Sequence, residues 1–211
     1  MLPRFTPLAA MLLFAFAATA PAQIPATSPA ATLPAGVRLH RGLVYAHTPD
    51  AKPLKIDLYL PAEPPGPAPQ NLPTILRLST RRETPSAAAL NLLADGYALA
   101  YAGYLPDDAP DAQAFSPFPN DVFAAKAAIR FLRGTASQYH LDSDRIGLWG
   151  DGHGATIAAL VAMTPDQKSL AGTLGDYPNE STAVRALCLL GGTTDWRNAE
   201  LYGDETVNFP G

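Results

Sequence analysis

The chain of 211 residues carries one cysteine, Cys188, so no disulfide can form within it. Cys188 lies in the apolar run Val184 to Leu190, which predicts a buried, inert thiol. Charge is sparse and slightly acidic: 15 Lys and Arg against 19 Asp and Glu, a formal net charge of −4. No basic run is present, and nothing resembles a zinc or RNA-binding motif, which argues against a nucleic-acid partner. No cofactor motif and no metal-ligand spacing is visible either. After the first two dozen residues no apolar stretch is long enough to span a bilayer.

The leading segment reads as a targeting signal rather than as fold. Arg4 precedes the apolar run Leu8 to Ala18, and Ala20-Pro21-Ala22 is a small-x-small cleavage site. This predicts a signal peptide over 1–22 and a secreted or periplasmic protein. Residues 23–36 are rich in Pro, Ala, Ser and Thr and have no periodic apolar face, so they predict a flexible leader. The remainder, 37–211, has the length of a single domain with its own core.

What is present is an alternation of elements. Val37 to His47 and Leu54 to Leu60 read as two successive strands, the second with Ile56, Leu58 and Leu60 alternating with Asp57 and Tyr59. Six prolines make Pro61 to Pro73 a loop. Thr74 to Leu78 is a third strand, followed by the polar turn Ser79 to Pro85. Ser86 can cap a helix through Leu90 and Leu93 that Gly96 ends. Tyr97 to Tyr101 is the next strand. Asn120 can cap a helix whose Val122, Ala125, Ile129 and Leu132 share one face, with Lys126, Arg130 and Arg133 on its solvated side and Gly134 as its stop. A buried strand then ends at Gly150, a helix runs from Ala155 to Met163, and Val184 to Leu190 is a last strand. Strand–helix alternation predicts parallel strands joined by right-handed crossovers. Apolar strands uninterrupted by charge fit a mostly parallel sheet with helices on both faces.

The segment Gly150-Asp151-Gly152-His153-Gly154, between a strand and a small-residue helix, has the layout G-x-S-x-G of a nucleophile elbow, with glycine where serine belongs. Phe118 to Arg133 resembles the helix before such an elbow, Asp142 to Gly150 its approach, and Leu189 to Asp195 the end of the strand after it. Together these resemble the α/β-hydrolase fold, and more narrowly the secreted esterases and lipases of the hormone-sensitive-lipase and bacterial feruloyl-esterase-like type. The resemblance implies a carboxylic ester hydrolase ancestry over residues 37–211, with the sheet stopping after its sixth strand. It also implies departures. The nucleophile would fall at Gly152. An HGGG-type oxyanion motif would fall at Ser79-Thr80-Arg81-Arg82, which has neither His nor Gly. The acid and histidine would follow later strands.

Other residues offer poor substitutes. Asp195 reads as a turn residue. His153, at a helix start, needs a partner that Asp151 is too near in sequence to supply. Ser79 and Ser116 lie near the right sheet edge but in no strained turn, and an unactivated serine is a weak nucleophile. His40, His47 and His140 read as surface or turn residues. The expectation is therefore an exported protein that does not hydrolyse esters by the usual route. An alternative is a binding module: the helix N-terminus at Gly152-His153-Gly154, faced by Arg81 and Arg82, would form a cationic notch for a small carboxylate, ester or sugar-derived ligand. A further alternative is that the chain is part of a longer active hydrolase. The strand Val184 to Leu190, left at an edge, would be prone to self-association.

Overall fold

The computed structural model describes residues 32–62, 71–109 and 118–192. The expected signal peptide, most of the leader, Ser116 and Asp195 lie outside the described residues. Eleven elements follow in chain order: β1 (Arg38–His47), β2 (Pro53–Leu60), β3 (Leu72–Ser79), α1 (Ala87–Ala94), β4 (Ala98–Gly103), α2 (Asn120–Gly134), α3 (Ala136–Tyr139), β5 (Leu141–Asp151), α4 (His153–Met163), a 3-10 turn (Lys168–Leu170) and β6 (Ala186–Leu190).

The strands form one sheet in the order β1-β2-β4-β3-β5-β6. β1 and β2 are antiparallel, and β2 meets β4 antiparallel. From β4 through β3, β5 and β6 every pairing is parallel. Parallel strands need crossovers, and the helices supply them, so the sheet is covered on two faces. On one face α2 and α4 pack Val122, Ala125, Ile129, Leu132, Ile157 and Val161 against Ile56, Leu58, Leu76 and Leu148. On the other, Leu90 and Leu93 of α1 pack against Tyr59, Leu99 and Tyr101. Each fully buried aliphatic side chain contributes about 1.5–3 kcal/mol of transfer free energy. The expected α/β-hydrolase-type sheet with helices on both faces is what the chain forms.

Several local expectations are corrected. Ser86 caps α1 as expected, its hydroxyl accepting from the Ala89 N–H at 3.2 Å. Asn120 does not cap α2: it is already helical, and the cap position is Pro119 with no side-chain bond. Gly134 is the last residue of α2, with Thr135 as its C-cap, and glycine stands there because a Cβ would collide with the Tyr177 ring. Lys126 and Arg130 are buried, not solvated. Their heads reach carbonyls of the segment after α4: Lys126 Nζ donates to Thr164 O, and Arg130 donates to the carbonyls of Ala171 (2.9 Å), Gly172 (3.3 Å) and Leu174 (3.3 Å). Long basic side chains bury their stems and spend their heads on backbone oxygen. Burial also holds the Lys126 ammonium below the usual lysine range.

The last strand is shorter than expected, beginning at Ala186 rather than Val184. It pairs with β5 on one side and, among the described residues, is the last strand of the sheet. Leu187 and Leu190 are exposed, and Cys188 is exposed too, against the expectation of a buried thiol.

Candidate functional site

The site is built where β5 ends. Gly150 sits opposite Leu78 of β3 and Leu189 of β6. The Gly152 N–H donates to Leu190 O at 2.8 Å, fastening the turn to β6. Gly152 then adopts φ +53° and ψ −123°, and its carbonyl accepts from Ala155 N (3.1 Å) and Thr156 N (3.3 Å) as α4 begins. That torsion lies in a region where side-chain-bearing residues are strained, and it is the backbone of a sharp strand-to-helix elbow. The flanking glycines are required by contact. A Cβ on Gly150 would overlap the Gly154 carbonyl oxygen, and one on Gly154 would overlap the Leu78 carbonyl oxygen. Gly152 differs: a Cβ built there meets no heavy atom of the described residues within 4 Å. The elbow is thus fully formed, and none of the described residues fills the place where a nucleophile's side chain would stand.

Beside the elbow lies a cavity of about 330 Å³, lined by Arg77, Ser79, Thr80, Arg81, Glu83, Asp151, His153 and Gly154. Arg81 and His153 are therefore on its wall. Arg82 is not: it is engaged by the buried Asp57 and by Asp107, with Nε to Oδ1 at 3.1 Å and Nη2 to Oδ2 at 2.6 Å. Its hydrogen bond to Arg82 is the main cause holding the Asp107 carboxyl below the usual range. Arg82 ties the turn after β3 to β2 and to the loop after β4, while its neighbour Arg81 donates to the Ala109 carbonyl.

The residue that sequence reasoning missed is Arg77. It interrupts an otherwise apolar strand, and the strict alternation of Leu76, Arg77 and Leu78 was the available signal. Nine-tenths buried, it donates Nε (3.2 Å) and Nη2 (2.9 Å) to Glu83 Oε2. Nη2 also approaches Asp151 Oδ2 at 3.4 Å, and the guanidinium lies 4.7 Å over the Trp149 ring. Its Nη1 is buried and has no partner among the described residues.

His153 finds a neighbour distant in sequence. Its Nε2 is 3.4 Å from Oδ2 of the buried Asp121, a long contact for a hydrogen bond. Asp121 is fixed by accepting from the Val122 N–H at 2.8 Å. The His153 ring meets Tyr104 edge-on at 5.9 Å. The Tyr104 hydroxyl shares a 2.8 Å hydrogen bond with Thr80, and burial pushes its pKa up to about 12, so it stays protonated. Ser79 Oγ, on the cavity wall, donates to Arg81 O at 2.5 Å. Among the described residues no base hydrogen-bonds to this hydroxyl. The remaining histidines lie elsewhere: His40 packs edge-on against Tyr139 at 4.9 Å, and His47 and His140 are exposed.

Known proteins give the same picture of the scaffold. No curated protein matches the chain. Among solved structures, it resembles a bifunctional GH43-CE protein of Bacteroides eggerthii, at 27% identity over 73% of this chain and 21% of that one, with a TM-score of 0.57. A tannase of Fusobacterium nucleatum aligns at 16% identity, 77% and 39% coverage and a TM-score of 0.62. Esterase B of Lactobacillus rhamnosis aligns at 18% identity, 82% and 54% coverage and a TM-score of 0.57. The last two are likenesses of fold alone, and the chain spans about half or less of the length of each of the three. The BD-FAE family model matches residues 79–207, more than half of the chain and the whole of the elbow. The chain belongs to the BD-FAE family, esterases built on the α/β-hydrolase fold.

Proposed function

We propose that this chain is an esterase-fold protein that holds a small carboxylate, ester or sugar-derived ligand in the cleft beside Gly152 and His153, and that it does not form an acyl-enzyme. One observation carries the reading: at the apex of a complete elbow, with φ +53° and ψ −123°, stands a residue with no side chain. Covalent acyl transfer needs an oxygen or sulfur nucleophile at that point, next to a base. The α4 N-terminus and Arg81 support binding, because both favour an anion. Hydrolysis of p-nitrophenyl acetate tests the proposal. The expected rate equals that of a His153→Ala variant, and catalysis by the wild type that His153→Ala abolishes overturns it.

A second reading rests on the coverage of the solved structures, which ranges from 21% to 55%. These residues would then be one part of a longer hydrolase. Sequencing past the codon for Gly211 tests it: a continuing frame that supplies an aspartate and a histidine on later strands supports it, and a reproducible stop removes it. Export belongs to either reading. A mature N-terminus at Gln23 supports it, and an intact Met1 in the mature protein speaks against it.

A further inference from the structure

We propose that a second cavity, walled by the β1–β2 hairpin, the start of α2 and the segment after α4, binds a free aromatic amino acid as its zwitterion, with the ammonium at Asp50 and the carboxylate at Lys168. The proposal is independent of the elbow cleft and of what that cleft holds.

The cavity measures about 580 Å³, within the range of small-molecule sites, and it shares no lining residue with the elbow cleft. Its floor is apolar: Leu54, Tyr104, Leu105 and Ala124 line it and are buried. Phe123 and Leu174 line it too and are half-buried. The walls are fastened by bonds of their own. Arg130 of α2 holds the carbonyls of Ala171, Gly172 and Leu174. A Cβ on Gly172 would overlap the Phe123 ring, so this segment lies directly on the helix. In the hairpin, the Thr48 N–H donates to Lys52 O at 2.9 Å and its hydroxyl donates to Asp50 Oδ1 at 2.6 Å. A site formed before its ligand arrives spends little binding energy on ordering itself.

The mouth of the cavity sets the ligand class. Asp50 stands on the hairpin wall and Lys168 on the 3-10 turn, both exposed. Among the described residues neither forms an ion pair, and the Asp50 carboxylate accepts from Thr48. That hydrogen bond holds the Asp50 carboxyl below the usual range, so it is charged at neutral pH. Neighbouring charges are committed to each other: Lys52 to Asp108 at 3.8 Å and Lys55 to Asp107 at 3.2 Å. One charge of each sign over an apolar floor matches a molecule that carries an ammonium and a carboxylate on an apolar side chain. A simple anion or cation would answer only one of the two charges. A sugar would set hydroxyls against Leu54, Leu105 and Leu174, which offer them no hydrogen bond. The rings of Tyr104 and Phe123 favour an aromatic side chain, because aromatic pairs add to the gain from buried area.

The test is an amide chemical-shift titration of the ¹⁵N-labelled chain with phenylalanine at neutral pH. The expected result is a saturable shift over residues 48–52 and 168–174, with His153 and Gly154 unmoved. Phenylalaninamide lacks the carboxylate and N-acetylphenylalanine lacks the ammonium. Each should bind about fivefold more weakly, the upper end for one exposed ion pair. Glycine keeps both charges without the side chain and should bind at least about tenfold more weakly. Lys168→Gln should weaken phenylalanine about fivefold and leave phenylalaninamide unchanged, and Asp50→Asn should do the same with N-acetylphenylalanine unchanged. No saturable shift at these two walls overturns the proposal, and so do shifts confined to His153 and Gly154. Equal binding of phenylalanine and its two blocked forms, or of phenylalanine and glycine, overturns the zwitterion assignment. The ligand comparison uses the wild type alone, so it decides the matter even if a variant fails to fold.

Discussion

Three glycines within five residues do two different things, and only one of these concerns a side chain's chemistry. Gly150 and Gly154 are there because backbones pass too closely for a Cβ, and Gly152 because its torsion is positive, with no described residue crowding it. Substitutions should separate the two causes. Gly150→Ala and Gly154→Ala force backbone apart in a packed interior and should each cost about 3 kcal/mol, the upper end of overpacking. Gly152→Ser meets no neighbour and should cost about 1 kcal/mol, the lower end for one strained torsion. Urea unfolding of the three variants checks the order, and an equal loss in all three contradicts it. The elbow was legible in the sequence because its glycines sit at fixed spacing between a strand and a helix. Arg77 was not, because a lone charge in a strand reveals its partners only once Glu83, Trp149 and Asp151 are folded around it.

Among the elements, α2 works by a means its sequence disguises. Its apolar stripe of Val122, Ala125, Ile129 and Leu132 was plain from periodicity and is buried as expected. The basic residues on the same helix looked like a solvated face. They lie instead beneath the segment that follows α4, and that segment has too little regular structure for a pattern to reveal it. Arg130 alone holds the carbonyls of Ala171, Gly172 and Leu174, and Arg133 holds those of Ser143, Ser181 and Ala183. Arg130→Ala removes three hydrogen bonds from a charged donor and strands three carbonyls. The expected loss is about 3 kcal/mol in urea unfolding. A loss under about 0.5 kcal/mol, typical of a surface change, would show that the segment is held by other means.

For the molecule as a whole, the sheet order, the parallel core and the two-sided helical cover follow from the alternation of elements. The joints between distant parts do not. Asp57, Arg82 and Asp107 connect β2, the turn after β3 and the loop after β4, and no local pattern announces a contact across 25 residues. This joint makes stability depend on pH in a definite direction. Arg82 holds the Asp107 carboxyl below its ordinary value of 3.8. A carboxyl whose pKa is lower in the folded state contributes stability above the unfolded value and loses it as pH falls through the folded one. The Tm gap between wild type and Asp107→Asn should therefore be full above about pH 5 and close progressively as the pH falls below 3.8. A gap that stays constant down to about pH 2 would show that the pair does not titrate in this way.

The vacancy at Gly152 also bears on ancestry. Glycine and serine codons of the GGY and AGY type differ by a single nucleotide. The backbones that converge on the elbow are held by Gly150, Gly154 and the Leu190 carbonyl, none of which depends on what stands at the apex. Exchange at that codon can therefore withdraw or return a nucleophile without passing through an unfolded product.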